Sequence, residues 1–161
     1  MILAHKIALD PNAVQETYFR KAAGVARFAY NWTLDQWQQQ YDAWQGDPTL
    51  LKPSEAALRR QLNALKRDAF PWMLEVTKNA PQMAVIHLGQ AFKNFFAGTA
   101  EYPAFKKKGR HDSFTLANDQ FAIKVGRCIS RSSGGCACTK RCGLSGKSWK
   151  APCHAPQIAG F

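Results

Sequence analysis

The chain has 161 residues, 46% of them hydrophobic and 12% aromatic, which suffices for one domain with a real core. Lys and Arg total 22 against 11 Asp and Glu, a net charge of +11, and that surplus points to a polyanionic partner. No stretch approaches the roughly 18 uninterrupted apolar residues of a membrane span. Met1–Lys6 lacks the charged and apolar regions of a secretory signal. The expectation is a cytoplasmic protein with reduced cysteines, no membrane contact and no small-molecule substrate.

In chain order, residues 2–9 read as a short strand through Ile2, Ala4 and Ile7 to Leu9. Asp10 and Pro11 then signal a helix start, an acceptor for free amides followed by a residue suited to the first turn. One helix is predicted over 11–23, with Val14, Phe19, Ala22 and Ala23 as buried positions. Gly24 permits a break, and a second helix is predicted over 25–44. Its apolar positions, Val25, Phe28, Ala29, Trp32 and Leu34 to Trp37, recur near helical spacing. Gly46, Asp47 and Pro48 end it.

Ser54 and Glu55 open a third helix over 54–68. Its stripe is Ala57, Leu58, Leu62 and Leu65, while Arg59, Arg60, Lys66 and Arg67 occupy other faces. Phe70 to Leu74 form an apolar connector. A fourth helix is predicted over 80–97, with Pro81 in its first turn and Ala84, Leu88, Ala91, Phe92 and Phe95 on one face. Gly98 stops it. The segment Tyr102 to His111 is a loop holding Lys106, Lys107, Lys108 and Arg110 with two aromatics, Tyr102 and Phe105. Alternation predicts strands over 113–117 and 121–125. The fold class is therefore α+β, mainly α: about four helices inserted between strands of an incomplete β-barrel, followed by a disordered tail.

The tail differs from the body. Residues 1–126 carry 16 basic and all 11 acidic side chains, whereas residues 127–161 carry six basic and no acidic ones. All five cysteines, Cys128, Cys136, Cys138, Cys142 and Cys153, lie in the tail. Its apolar residues follow neither a period of 2 nor one of 3.6, so it is expected not to pack. A shifted reading frame explains this. Back-translated from Arg127 and read one base earlier, permitted codons give a segment that alternates apolar and polar residues and regains acids. The alternative is a zinc site at Cys136, Cys138, Cys142 and Cys153, whose spacing is not the paired C-x-x-C of common zinc ribbons. The expected boundary is thus 1–126 and 127–161, with no cofactor.

Four segments carry a resemblance. They are Lys6 to Pro11 opening onto a helix, Ala23 to Trp32, Gln82 with Ala91 to Phe96, and Tyr102 to Lys108 followed by Ser113 and Phe114. In this order over residues 1–126 they resemble the N-terminal region of TnpB/OrfB-type transposon proteins, often described as a transposase helix-turn-helix domain. The shifted frame also looks like the next strands of that family. The resemblance implies a compact RNA-guided DNA nuclease akin to the type V CRISPR effectors. It implies a β-barrel wedge domain, interrupted by a helical recognition domain, that grips guide RNA and reads a motif beside the target. It also implies a RuvC-like nuclease half with three carboxylates and a zinc-binding insertion, which residues 1–126 do not match.

Candidate nucleic-acid contacts follow. Lys106, Lys107, Lys108 and Arg110 suit phosphate, since lysines position a backbone rather than read bases. Lys78 and Gln82, four residues apart, share a face and can both hydrogen-bond base edges. The resemblance implies that the target-adjacent motif is read there, with Thr115 joining. Arg27 suits phosphate or a carboxylate such as Asp35, and Arg59 with Arg60 offers a second basic surface. Tyr102 and Phe105 read as loop anchors, with base stacking the alternative. Asp112 and Asp119 lack a metal-binding context, His5, His87 and His111 read as ordinary, and no tyrosine has a His-x-His neighbour. The expected function is a nucleic-acid-binding N-terminal fragment of a transposase-like RNA-guided nuclease, bound to DNA and guide RNA, without catalysis. The alternatives are a helical protein-interaction module or decayed gene product, and a small complete transposase.

Overall fold

A computed structural model of the chain describes residues 9–117 and the strand backbones at 121–124, 127–130 and 134–138. Strand β1 (Leu9–Asp10) leads into helix α1 (Ala13–Gly46). Asn12, rather than Asp10, caps the helix. Its side chain accepts from the Gln15 amide at 2.9 Å, and Gln15 accepts from the Asn12 amide at 3.1 Å. This reciprocal capping box satisfies two free donors at once, which a lone Asp10 would not.

Helix α1 runs 34 residues without a break, about 50 Å at 1.5 Å per residue. The two helices expected on either side of Gly24 are one. Glycine inside a helix costs about 1 kcal/mol relative to alanine. The buried Ala22, Ala23, Val25, Ala26 and Ala29 around it outweigh that cost by packing on the core. The helix ends where the Asp47 amide donates to the Ala43 carbonyl at 2.9 Å and Pro48 follows.

Ser54 caps helix α2 (Glu55–Leu65), accepting from the Ala57 amide. The apolar connector forms a 3₁₀ turn (Pro71–Glu75), and helix α3 (Asn79–Phe96) follows. Helix α3 lies mainly against α1, with α2 against both. The core joins Ala22 to Leu34 on α1 with Leu62, Met73 and Ala80 to Phe92 on α3. Trp37 stacks on Phe92 with ring centroids 4.1 Å apart. Helix α3 comes close to α2 at Gly89, where an added Cβ would stand 2.8 Å from the Glu55 Cγ.

The expected four-helix bundle within a β-barrel is therefore corrected. The described part is mainly helical, with three α-helices and a 3₁₀ turn, and no barrel occurs among the described residues. Of the strand expected over 113–117, only Ser113 makes an isolated bridge and 114–117 have no regular secondary structure, although Phe114 and Leu116 are buried as alternation required. Strands β2 (Phe121–Lys124), β3 (Arg127–Ser130) and β4 (Gly134–Cys138) form an antiparallel meander, with β1 on β4, in the order β1-β4-β3-β2. Two of these strands lie in the segment expected to be a disordered tail. Backbone pairing across Ile129↔Gly135 and Leu9↔Cys138 needs no side-chain period, which is why the pattern missed it. Residues 2–8 of the first expected strand, Asp119, Val125, Cys142 and Cys153 lie outside the described residues.

Candidate nucleic-acid interface

The basic loop is held at both ends and in the middle. Gly98, in the left-handed region at φ 70°, turns the chain off α3, and both the amide and the hydroxyl of Thr99 donate to the Asn94 carbonyl. Tyr102 then sets its ring edge-on against Phe92 and Phe95, at 5.6 and 5.2 Å. Pro103 is buried beside it. In the middle, one α1 side chain takes both polar groups of a loop residue: Asn31 donates to the Lys106 carbonyl at 2.9 Å and accepts from its amide at 2.8 Å. At the far end Arg27 pairs with Asp112, whose other oxygen accepts from the Gly109 amide at 3.0 Å. Gly109 (φ 76°) and His111 (φ 58°) both adopt the left-handed conformation in this turn. Phe114 then returns to the core against Phe19, with centroids 6.0 Å apart.

The predicted bases separate into two roles. Lys107, Lys108 and Arg110 are exposed and have no ion-pair or side-chain hydrogen-bond partner among the described residues. Their charges face solvent. Lys106 differs, because its ammonium lies 4.3 Å from the Tyr30 ring centroid. Burial pushes the Lys106 pKa down and the Tyr30 pKa up. His87 on α3 is also pushed below the ordinary histidine value of 6.5, first by burial and then by the Lys106 charge. Lys106 therefore ties the loop to α1 by a cation–π contact. Arg27 is likewise a positioning residue, and its carboxylate partner is Asp112 rather than Asp35.

The remaining predicted residues lie elsewhere. Lys78 and Gln82 are both exposed at the start of α3, the Gln82 amide donating to the Lys78 carbonyl. That helix start is tethered from α1, because the Thr77 amide donates to the Tyr18 hydroxyl oxygen at 2.9 Å. Thr115 is half-buried between Phe114 and Leu116, and no hydrogen bond or ion pair among the described residues joins it to Lys78 or Gln82. On α2, Arg59 lies 3.4 Å from Glu55, and the Arg60 Nε donates to the Ala56 carbonyl. Cys136 and Cys138 are described only as strand backbone. Asn31, Tyr18 and Asp112 are the positioning residues that sequence reading missed. Asn31 and Lys106 are 75 residues apart, and no local pattern signals such a pair.

Residues 1–46 match a helix-turn-helix domain family of the OrfB/IS605 type. Among them, Ala13–Gly46 is a single helix. The chain is 31% identical over 112 residues to the putative RNA-guided DNA endonuclease InsQ of Escherichia coli K12, covering 69% of this chain and 27% of that protein. It is 30% identical over 125 residues to a putative RNA-guided DNA endonuclease of Mycobacterium tuberculosis, covering 68% and 27%. A protein of the same name from Streptomyces pristinaespiralis is 30% identical over 130 residues, covering 74% and 31%. The chain thus spans under a third of the length of the curated relatives it matches. Among the described residues no helix is long and apolar enough to cross a membrane. With the family's domain at its start and relatives aligned over about 70% of its length, the chain belongs to the TnpB/OrfB-type transposon-encoded proteins.

Proposed function

We propose that this chain is the nucleic-acid-recognition part of a TnpB-like RNA-guided DNA nuclease, and that it binds DNA and guide RNA without cleaving them. The observation that carries the reading is the anchored loop, which presents Lys107, Lys108 and Arg110 unpaired beside α1. A loop fixed by Asn31, Arg27 and Lys106 holds its free cations in place for a phosphate backbone, so less order is lost on binding. Lys78 and Gln82 read base edges from the start of α3, with Thr115 contributing, and Arg59 and Arg60 add a second backbone surface. The relatives are named as RNA-guided DNA endonucleases, and this chain aligns with 27–31% of their length. Metal-assisted phosphodiester cleavage needs several converging carboxylates, and in this reading they belong to the remainder of such a protein. The chain acts in the cytoplasm and takes no cofactor of its own.

The test is anisotropy of the full chain with a labelled DNA duplex and a labelled RNA hairpin across a salt series. The expected result is binding whose log K falls linearly with log salt, by about 0.9 per neutralised phosphate on duplex DNA. Binding to neither, even at low salt, would favour a protein-interaction module. Cleavage of either strand with added magnesium would overturn the non-catalytic assignment.

A further inference from the structure

An open groove of about 470 Å³ runs along α1 beside the basic loop. One wall is a single helix face, Arg27, Phe28, Asn31, Trp32 and Asp35, and Phe105 of the loop stands across from it. Phe28 and Trp32 are half-buried, while Phe105 is 50% exposed. Phe105 is held there rather than free to fold inward. Its neighbour Lys106 is fixed through both backbone groups by Asn31, and Pro103 is buried two residues earlier. Phe28 is itself rigid, edge-on to Phe70 and Trp72 at 4.8 Å each. A large ring held half in water forfeits burial that a refolded loop would gain. Lys107, Lys108 and Arg110 follow directly in the chain as exposed, unpaired cations.

We infer that this groove is a stacking cleft for one unpaired nucleobase of a single-stranded nucleic acid, whose backbone runs along Lys107, Lys108 and Arg110. The inference rests on the nucleic-acid reading above. Aromatic faces beside a cationic track are the arrangement that holds single strands, because every base offers a π-face. The groove volume lies within the range of small-molecule sites, about 300–1,000 Å³. Asp35 adds a preference. Its Oδ2 is occupied by Gln39 at 2.7 Å and by Gln36, while its Oδ1 has no partner among the described residues. A free carboxylate oxygen accepts from an exocyclic amine, so cytosine or adenine is favoured over thymine or uracil. Gly24 leaves the groove open at one end, since a Cβ there would meet nothing nearer than the Arg27 guanidinium at 4.0 Å.

The test compares the wild-type chain with Phe105→Ala and Gly24→Leu. The second variant puts side-chain bulk into the groove at a position where an added Cβ meets nothing nearer than the Arg27 guanidinium at 4.0 Å. Anisotropy is measured on short labelled oligo-dC, oligo-dT and oligo-rC and on an abasic oligomer of equal length. The expected result is a loss of about tenfold in affinity for oligo-dC or oligo-rC in either variant. The salt slope should stay unchanged, and affinity for the abasic strand should not move. The dC and rC arms show which strand type supplies the base. Asp35→Asn should narrow the difference between oligo-dC and oligo-dT. Equal affinity of the variants and wild type for oligo-dC and oligo-rC, or an equal loss on the abasic strand, overturns the cleft while leaving nucleic-acid binding intact. Wild-type chain that binds no oligomer at low salt overturns both readings together.

Discussion

Asn31 governs the basic loop through two hydrogen bonds to one residue, Lys106. Each is exposed, so the pair contributes about 1–2 kcal/mol. Asn31→Ala should lower stability by about that amount in urea denaturation, and Asn31→Asp should lower it by less, because a carboxylate still accepts from the Lys106 amide but cannot donate to its carbonyl. An unchanged midpoint would remove the clamp from the account. A second residue-scale prediction concerns pH. The folded-state pKa of His87 lies below its ordinary 6.5, so the unfolded chain binds a proton that the folded chain resists. Stability from this group is complete above 6.5 and falls as pH drops toward the folded value. In His87→Gln the loss on acidification through that window should shrink, and an identical pH profile would contradict the lowering of the His87 pKa by burial and, after it, by the Lys106 charge. The cationic character of the loop was legible in the sequence. The division between Lys106 and its neighbours was not, because it depends on Tyr30 and Asn31, far away in the chain.

Among the elements, α2 and α3 were legible because their ends carry strong signals, Ser54 as a cap and Gly98 as a stop. Helix α1 was divided wrongly at Gly24, where local propensity and tertiary packing disagree and packing decides. Gly24→Ala should therefore stabilise the protein by about 0.5–1 kcal/mol, since the helix gains propensity and the added Cβ meets no close neighbour. A lowered melting temperature would mean that the helix breaks there after all. Gly89 predicts the opposite sign. A Cβ there would stand 2.9 Å from the Glu55 Cβ as well as 2.8 Å from its Cγ, so α2 would have to shift. Gly89→Ala should cost about 1–3 kcal/mol despite its better helix propensity. Of the β-elements, β2 was legible from its alternation, whereas β3 and β4 were not, because pairing such as Ile123↔Cys128 joins β2 to a segment without a hydrophobic period.

For the whole molecule, charge was the most informative quantity in the sequence. The absence of any acid after residue 126 argues for the shifted frame, which we propose as the origin of residues 127–161. Sequencing the gene from codon 120 onward should show a long frame restored by one base near codon 126. A gene without such a frame would make the cysteines genuine and zinc binding the next question. The central claim is that the anchored loop contacts phosphate through Lys107, Lys108 and Arg110, with Lys106 holding it in place. It is tested most directly by the salt slope of duplex binding for wild type and for the Lys107→Ala, Lys108→Ala, Arg110→Ala triple variant. The variant's slope should be shallower by about 0.9 for each phosphate that it no longer neutralises, with the urea midpoint unchanged. A slope equal to that of wild type would contradict it and remove the loop from the interface.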